Sequence, residues 1–344
     1  LPLSWQVFDP ASAGFLNPPG VSQHLDYVMS IAFVFPGQGS QSVGMGKDFY
    51  DSFAAAKETF QEVDEALGQK LSDLIFTGAA EELNMTANTQ PALMAVSLAI
   101  MNTLEKHFDF KLDQSVQAVA GHSLGEYAAH AAVKSFSVAD TARLLRIRGD
   151  AMQKAVPVGQ GAMAAVLGLD FEQLLPLCTS LTTADLLVVP ANDNCPGQVV
   201  ISGHKAAVEA AIEKATAMGA KRAMLLAVSA PFHCPLMQPA ADAMQEALAN
   251  VVMNVPLLPI YANVTTKAES EPERLKKLLV EQVTQPVRWR ETIQTMSADG
   301  FTTYVEIGAG KVLSGLNKRI NSEAKCLNIA TPNDIEATLE QLKA

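Results

Sequence analysis

The run Ile31-Ala32-Phe33-Val34-Phe35 contains no polar residue and stops at Pro36-Gly37. A strand with one face in water alternates polar and apolar side chains. An unbroken apolar run is buried on both faces, as in a parallel sheet covered by helices. A second strand, Val116-Gln117-Ala118-Val119-Ala120, leads into Gly121. Helical periodicity runs through residues 49–67 and again through 90–107. Strands alternating with helices predict an α/β layered body. Residues 258–263 and 302–307 read as further strands of it.

The rhythm changes between about Pro157 and Ala230. Residues 162–169 read as a strand and 170–180 as a helix. Residues 186–191 and 197–202 read as two strands joined by Asn192-Asp193-Asn194-Cys195-Pro196. A helix over 205–218 and a strand over 222–228 complete the order βαββαβ, the ferredoxin-like unit. The expected organisation is a body of residues 29–156 and 231–344 with a ferredoxin-like subdomain, 157–230, inserted into it. Residues 1–28 are read as an extension foreign to that body. They hold four prolines and no Lys or Arg, so they fit neither a secretory signal nor a transit peptide, and Met29 reads as the natural start.

Composition removes several classes of function. With 49% hydrophobic and 18% charged residues, the 344-residue chain is too apolar for disorder. Its 36 acidic residues against 25 basic ones give −11, and broad nucleic-acid binding wants a basic face. The longest apolar stretch, residues 92–104, is shorter than the roughly 20 residues a bilayer needs. Cys178, Cys195, Cys234 and Cys326 show no metal-ligand spacing and read as reduced thiols of a cytoplasmic protein. No metal is expected.

Gly121-x-Ser123-x-Gly125 follows one strand and opens a helix, the context of a nucleophile elbow. A tight turn with a capping serine would look the same. A serine needs a base. His24 lies in the extension, His107 and His130 lie on helices, and His204 opens a helix as a cap or solvated group. His122 adjoins Ser123 and is expected to pack. His233 lies in Ser229-Ala230-Pro231-Phe232-His233-Cys234-Pro235, directly after the inserted unit, where clefts form. A lone loop histidine is more often solvated, and only this position makes His233 the candidate base. An oxyanion needs backbone donors, which the residue after the nucleophile, Leu124, and the loop Gly37-Gln38-Gly39 could supply. Arg143, Arg146 and Arg148 share one helix. Most arginines so placed pair with a carboxylate or reach solvent, and one could instead meet a substrate carboxylate.

Together these segments resemble the malonyl-CoA:acyl carrier protein transacylase family. The resemblance rests on Phe33-Val-Phe-Pro-Gly-Gln-Gly-Ser-Gln41, Gln90-Pro91-Ala92, Gly121-His-Ser-Leu-Gly-Glu-Tyr127, Arg148-Gly149 and Gly197-Gln-Val-Val-Ile-Ser-Gly203. Pro231-Phe-His233, Pro286-Val287-x-Trp289 and Glu306-Ile-Gly-x-Gly-x-Val-Leu313 complete the set. It implies an α/β-hydrolase-like body with a ferredoxin-like insertion. It implies ping-pong transfer of malonyl from malonyl-CoA to the phosphopantetheine thiol of acyl carrier protein, supplying fatty-acid synthesis. Ser123 would be the acylated nucleophile and His233 its base, oriented by the main-chain carbonyl of Gln282. The N–H groups of Gln38 and Leu124 would hold the oxyanion, and Arg148 the malonyl carboxylate. No cofactor is implied beyond the two substrates, and a monomer is expected. Lys221, Arg222, Arg274, Lys276, Lys277, Arg288, Lys318 and Arg319 are candidates to meet the carrier protein. A polyketide-type acyltransferase and a serine thioesterase or hydrolase are the alternatives. Phe232 stands where many free-standing members carry a small residue, and a bulky side chain there should crowd an α-methyl group.

Overall fold

A computed structural model describes residues 30–228 and 230–343. The extension expected at residues 1–28, with His24 and the start expected at Met29, lies outside the described residues. Ten strands occur among the described residues. They are β1 (Ser30–Phe35), β2 (Ala118–Gly121), β3 (Gly161–Leu167), β4 (Val188–Cys195), β5 (Gln198–His204), β6 (Arg222–Leu225), β7 (Ile260–Tyr261), β8 (Ala268–Glu269), β9 (Phe301–Ile307) and β10 (Lys325–Ile329).

The larger sheet has the order β10-β9-β1-β2-β7-β8 and is parallel except for the β7–β8 pair. The apolar run over 31–35 lies at its middle, between β9 and β2. Its side chains alternate between two cores. Ile31, Phe33 and Phe35 join the larger one, under the long helix Thr86–His107. Ala32 and Val34 join a second core with Trp289, Ile293 and Leu313 on the opposite face. Both faces are therefore dry, which explains the missing polar alternation. Each fully buried Phe here stabilises the fold by roughly 2–3 kcal/mol relative to exposure.

The smaller sheet has the order β4-β5-β3-β6, with every pair antiparallel. Helices Phe171–Leu181 and Lys205–Ala217 cover it through Ala164, Val166, Leu174, Val188, Ile201, Val208 and Ala211. The chain order is strand, helix, strand, strand, helix, strand, as expected for the ferredoxin-like unit. Its strand β4 is stitched to the larger body: Asp193 N–H donates to the Val287 carbonyl and Val287 N–H to the Ala191 carbonyl, both at 2.9 Å. Arg290 Nε adds bonds of 3.0 and 2.9 Å to the two Asp193 oxygens.

Several boundaries move. The helix expected over 49–67 is two helices, Lys47–Ser52 and Ala54–Leu67, because Phe53 is extended (φ −132°, ψ 126°) and its ring packs on Phe49 and Phe108. The long helix begins one turn early, at Thr86. The strand expected over 186–191 starts at Val188 and continues to Cys195, since Asn192 and Asp193 pair with β5 instead of forming a loop. The strands expected over 222–228 and 258–263 shorten to Arg222–Leu225 and Ile260–Tyr261.

Candidate active site

Strand β2 ends at Gly121, and the elbow helix Leu124–Ala132 starts three residues later. A Cβ on Gly121 would lie 2.0 Å from the Gly125 carbonyl carbon, and one on Gly125 would lie 2.2 Å from the Phe35 oxygen. Only glycine lets strand and helix fold back this tightly. Between them Ser123 is forced to φ 54° and ψ −112°. Such a backbone costs about 1–3 kcal/mol and persists only when its surroundings hold it. Asn263 does so. Its Oδ1 accepts from Ser123 N–H at 2.8 Å, and its Nδ2 donates to the Gly121 carbonyl at 2.7 Å.

His233 is buried, with φ also positive at 57°. Its Nε2 lies 2.8 Å from Ser123 Oγ. Its Nδ1 lies 2.9 Å from the main-chain oxygen of Gln282, the neighbour that sets the tautomer. That carbonyl accepts, so Nδ1 carries the proton and Nε2 is the acceptor for the serine hydroxyl. Gln282 lies in the last turn of helix Pro272–Thr284, where carbonyls lack helical partners. The residue four places on is Pro286, which has no N–H to offer. The carbonyl is free for the imidazole, and the negative end of the helix dipole favours an imidazolium there. In the resting site, burial and then the Arg148 cation push the His233 pKa down to about 3.

Arg148 is buried at 1% exposure on helix Val138–Lys154. Its Nη1 donates to Gln90 Oε1 at 2.7 Å, and its Nη2 to Gln282 Oε1 at 2.9 Å and Ser123 Oγ at 3.2 Å. The guanidinium also lies 5.6 Å over the Tyr127 ring. No carboxylate reaches ion-pair distance of it among the described residues. The other two arginines of this helix are occupied. Arg143 pairs with Asp140 at 3.1 Å, and Arg146 donates to Asn88 and Gln69, both at 2.8 Å.

A cleft opens onto these groups. Ser123, His233, Arg148, Gln90, Gln38 and Leu124 line it together with Met152, Met163, Leu226, Val228 and Phe232. The N–H groups of Gln38 and Leu124 carry no hydrogen bond among the described residues. The six residues singled out from the sequence (Ser123, His233, Gln282, Arg148, Gln38, Leu124) thus meet in one place. Among the described residues, the other histidines do not bond Ser123. His122 bonds Asn194 Oδ1 at 2.8 Å beside the Trp289 ring, and His204 Nδ1 accepts from Leu187 N–H at 2.8 Å. His107 packs on Phe53, and His130 is fully buried against Phe136. Among the described residues there is no group of three or more His, Cys, Asp or Glu side chains fit for a metal, and no helix long and apolar enough to cross a membrane.

Three polar residues of the site carried no role in the sequence reading: Gln90, Asn263 and Glu126. Each is buried. Glu126 Oε2 accepts from Gln282 Nε2 at 2.8 Å and Asn263 N–H at 3.0 Å. Burial pushes this carboxyl up to about 7, against the pull of those donors and of Arg148.

The acyl transferase domain family matches residues 32–329. The malonyl CoA-acyl carrier protein transacylase of Bacillus subtilis (strain 168) is 47% identical over 313 residues, 91% of this chain and 97% of the relative. The acyl-carrier-protein-S-malonyltransferase of Bartonella henselae superposes with a TM-score of 0.89 at 54% identity, covering 92% of this chain and 100% of that structure. A type II PKS acyl-carrier protein in complex with its malonyl-transacylase superposes with a TM-score of 0.87 at 41% identity, covering 91% and 99%.

Proposed function

The chain belongs to the acyl transferase domain family, with the malonyl-CoA:acyl carrier protein transacylases, and we infer that it carries malonyl from coenzyme A to acyl carrier protein through Ser123. His233 Nε2 takes the Ser123 proton as Oγ attacks the thioester carbonyl carbon. The tetrahedral oxyanion forms against the N–H groups of Gln38 and Leu124, each worth about 3 kcal/mol in comparable sites. Collapse breaks the C–S bond, and the imidazolium returns its proton to the coenzyme A thiolate. The phosphopantetheine thiol then repeats the sequence in reverse on the malonyl-serine, with His233 taking the thiol proton and giving it back to Ser123. The apolar wall of Met152, Met163, Leu226 and Val228 supports transfer over hydrolysis, because it keeps water from the ester.

One observation carries this reading: a fully buried guanidinium stands 3.2 Å from the nucleophile with only neutral oxygens as partners. Amides hold Arg148 in place without cancelling its charge. A malonyl group brings the missing carboxylate at the right distance from its own thioester carbonyl. An acetyl group leaves the cation uncompensated. The test is the intact mass of the protein after malonyl-CoA and then after holo acyl carrier protein. The wild type gains a malonyl and loses it, and Ser123→Ala never gains it. An adduct on Ser123→Ala would move the nucleophile elsewhere.

The carrier protein is anionic, and most of the cations considered for it are already engaged. Arg288 pairs with Glu291, Lys276 with Glu273, and Arg274 and Lys277 with Glu281. Lys318 and Arg319 bind loop carbonyls at Ser322 and Pro196. Lys221 and Arg222 have no ion pair among the described residues and lie at the start of β6, whose chain leads into the cleft at Leu226. The double change Lys221→Glu/Arg222→Glu should raise the KM for acyl carrier protein roughly tenfold while malonyl-serine formation stays unchanged.

A further inference from the structure

We propose that Glu126 is a positioning residue of this site: its buried carboxyl sets the Gln282 side chain, and through it the Arg148 guanidinium that receives the malonyl carboxylate. The proposal rests on the reading of Arg148 given above. It extends that reading to a group whose side chain bonds neither Ser123 nor His233.

Gln282 makes four contacts that matter. Its main-chain oxygen accepts from His233 Nδ1 at 2.9 Å. Its Oε1 accepts from Arg148 Nη2 at 2.9 Å. Its Nε2 donates to Glu126 Oε2 at 2.8 Å and to the Ser123 carbonyl at 3.1 Å. A buried amide has one donor end and one acceptor end, and each must match its neighbour. Arg148 only donates. Glu126 Oε2 accepts, whether or not the other carboxyl oxygen carries a proton. Glu126 therefore points the Gln282 nitrogen away from the guanidinium and its oxygen toward it. The same Oε2 accepts from Asn263 N–H at 3.0 Å, so one atom also steadies the residue that clamps the elbow.

The interposed amide has a chemical consequence. A carboxylate in direct contact with Arg148 would fill the fork the malonyl group needs. A neutral oxygen fixes the guanidinium and leaves its charge to the substrate. The Glu126 carboxyl is held away from that charge by the Gln282 amide, which bonds each of them. What the site takes from Glu126 is an acceptor in the right place, which a glutamine can also supply.

The test is the rate of malonyl-serine and acetyl-serine formation, read by intact mass with malonyl-CoA and acetyl-CoA. Glu126→Ala should slow malonyl loading roughly thirtyfold and lower the malonyl-to-acetyl ratio about tenfold. Glu126→Gln keeps an oxygen acceptor and should leave both rates within about threefold of wild type. A merely structural role would cut both acyl groups equally in Glu126→Ala, and that outcome overturns the proposal. Malonyl loading unchanged in Glu126→Ala overturns it too, as does a Glu126→Gln variant as impaired as Glu126→Ala. Arg148→Ala run in parallel separates the two readings. A ratio that falls there but not in Glu126→Ala defeats the role of Glu126 alone, whereas a ratio unchanged in Arg148→Ala defeats the Arg148 reading itself.

Discussion

The two ends of the elbow helix each bury a histidine. At its start, His233 faces Ser123; in its last turn, His130 packs on Phe136. Burial pushes both down to about 3. What separates them is wiring. Both nitrogens of His233 are engaged, one by the serine and one by the Gln282 carbonyl. Neither nitrogen of His130 has a hydrogen-bond partner among the described residues. A depressed pKa therefore marks burial and does not by itself mark a catalytic base. A base needs a held tautomer and a free lone pair against a nucleophile, and of these two histidines His233 has both.

The largest effect should come from cutting the wired end. His233→Ala should slow malonyl-serine formation by about 10³-fold or more, measured by rapid-quench mass spectrometry. A loss of less than tenfold would mean that Ser123 draws on another base. The next effect belongs to the cation beside it. Arg148→Ala should lower malonyl loading by about 10²-fold while acetyl loading holds or rises, since a buried cation without its carboxylate costs about 3–5 kcal/mol. Equal loss for both acyl groups would break the assignment.

The smallest effect lies at the packed end. His130→Leu should leave both loading rates within about twofold, as expected for a residue outside the reacting groups. Its signature is in stability against pH. Unfolded histidine takes up a proton near its ordinary 6.5, whereas folded His130 resists protonation down to about 3. The unfolded state thus binds more protons in that window, and the fold loses stability as pH falls from 6.5 toward 3. Each such histidine contributes a slope of about 1.4 kcal/mol per pH unit there. Urea melts between those limits should show a shallower loss for His130→Leu than for wild type. An identical slope would show that His130 is protonated in the folded protein.

How far the site could be read in advance follows from how local each part is. The elbow is a contiguous pattern, because the glycines that relieve its clash stand two residues on either side of Ser123. The role of Gln282 was named only through family resemblance, yet a local signal existed in Pro286, which frees that carbonyl. Asn263 and Glu126 gave no local signal. Their bonds to Ser123 and Gln282 cross 140 and 156 residues of chain. The short strand boundaries at β4 and β6 were misplaced for a related reason, since pairing with β5 and β3 decides where those strands stop.

By itself, the order of residues determined the alternation of buried strands and helices, the sharp turn at Ser123, a candidate base, three candidate arginines and a glycine-lined loop. Those are properties of neighbours along the chain, where sterics and periodicity act over a few residues. Only the tertiary structure decided which arginine turns inward. Arg143 meets Asp140 and Arg146 meets Asn88 and Gln69, whereas Arg148 is left against Gln90, Gln282 and Ser123 with its charge uncancelled. The reason is that a buried charge is defined by what surrounds it, and its surroundings come from two other helices and the elbow turn, which only the packed fold brings together.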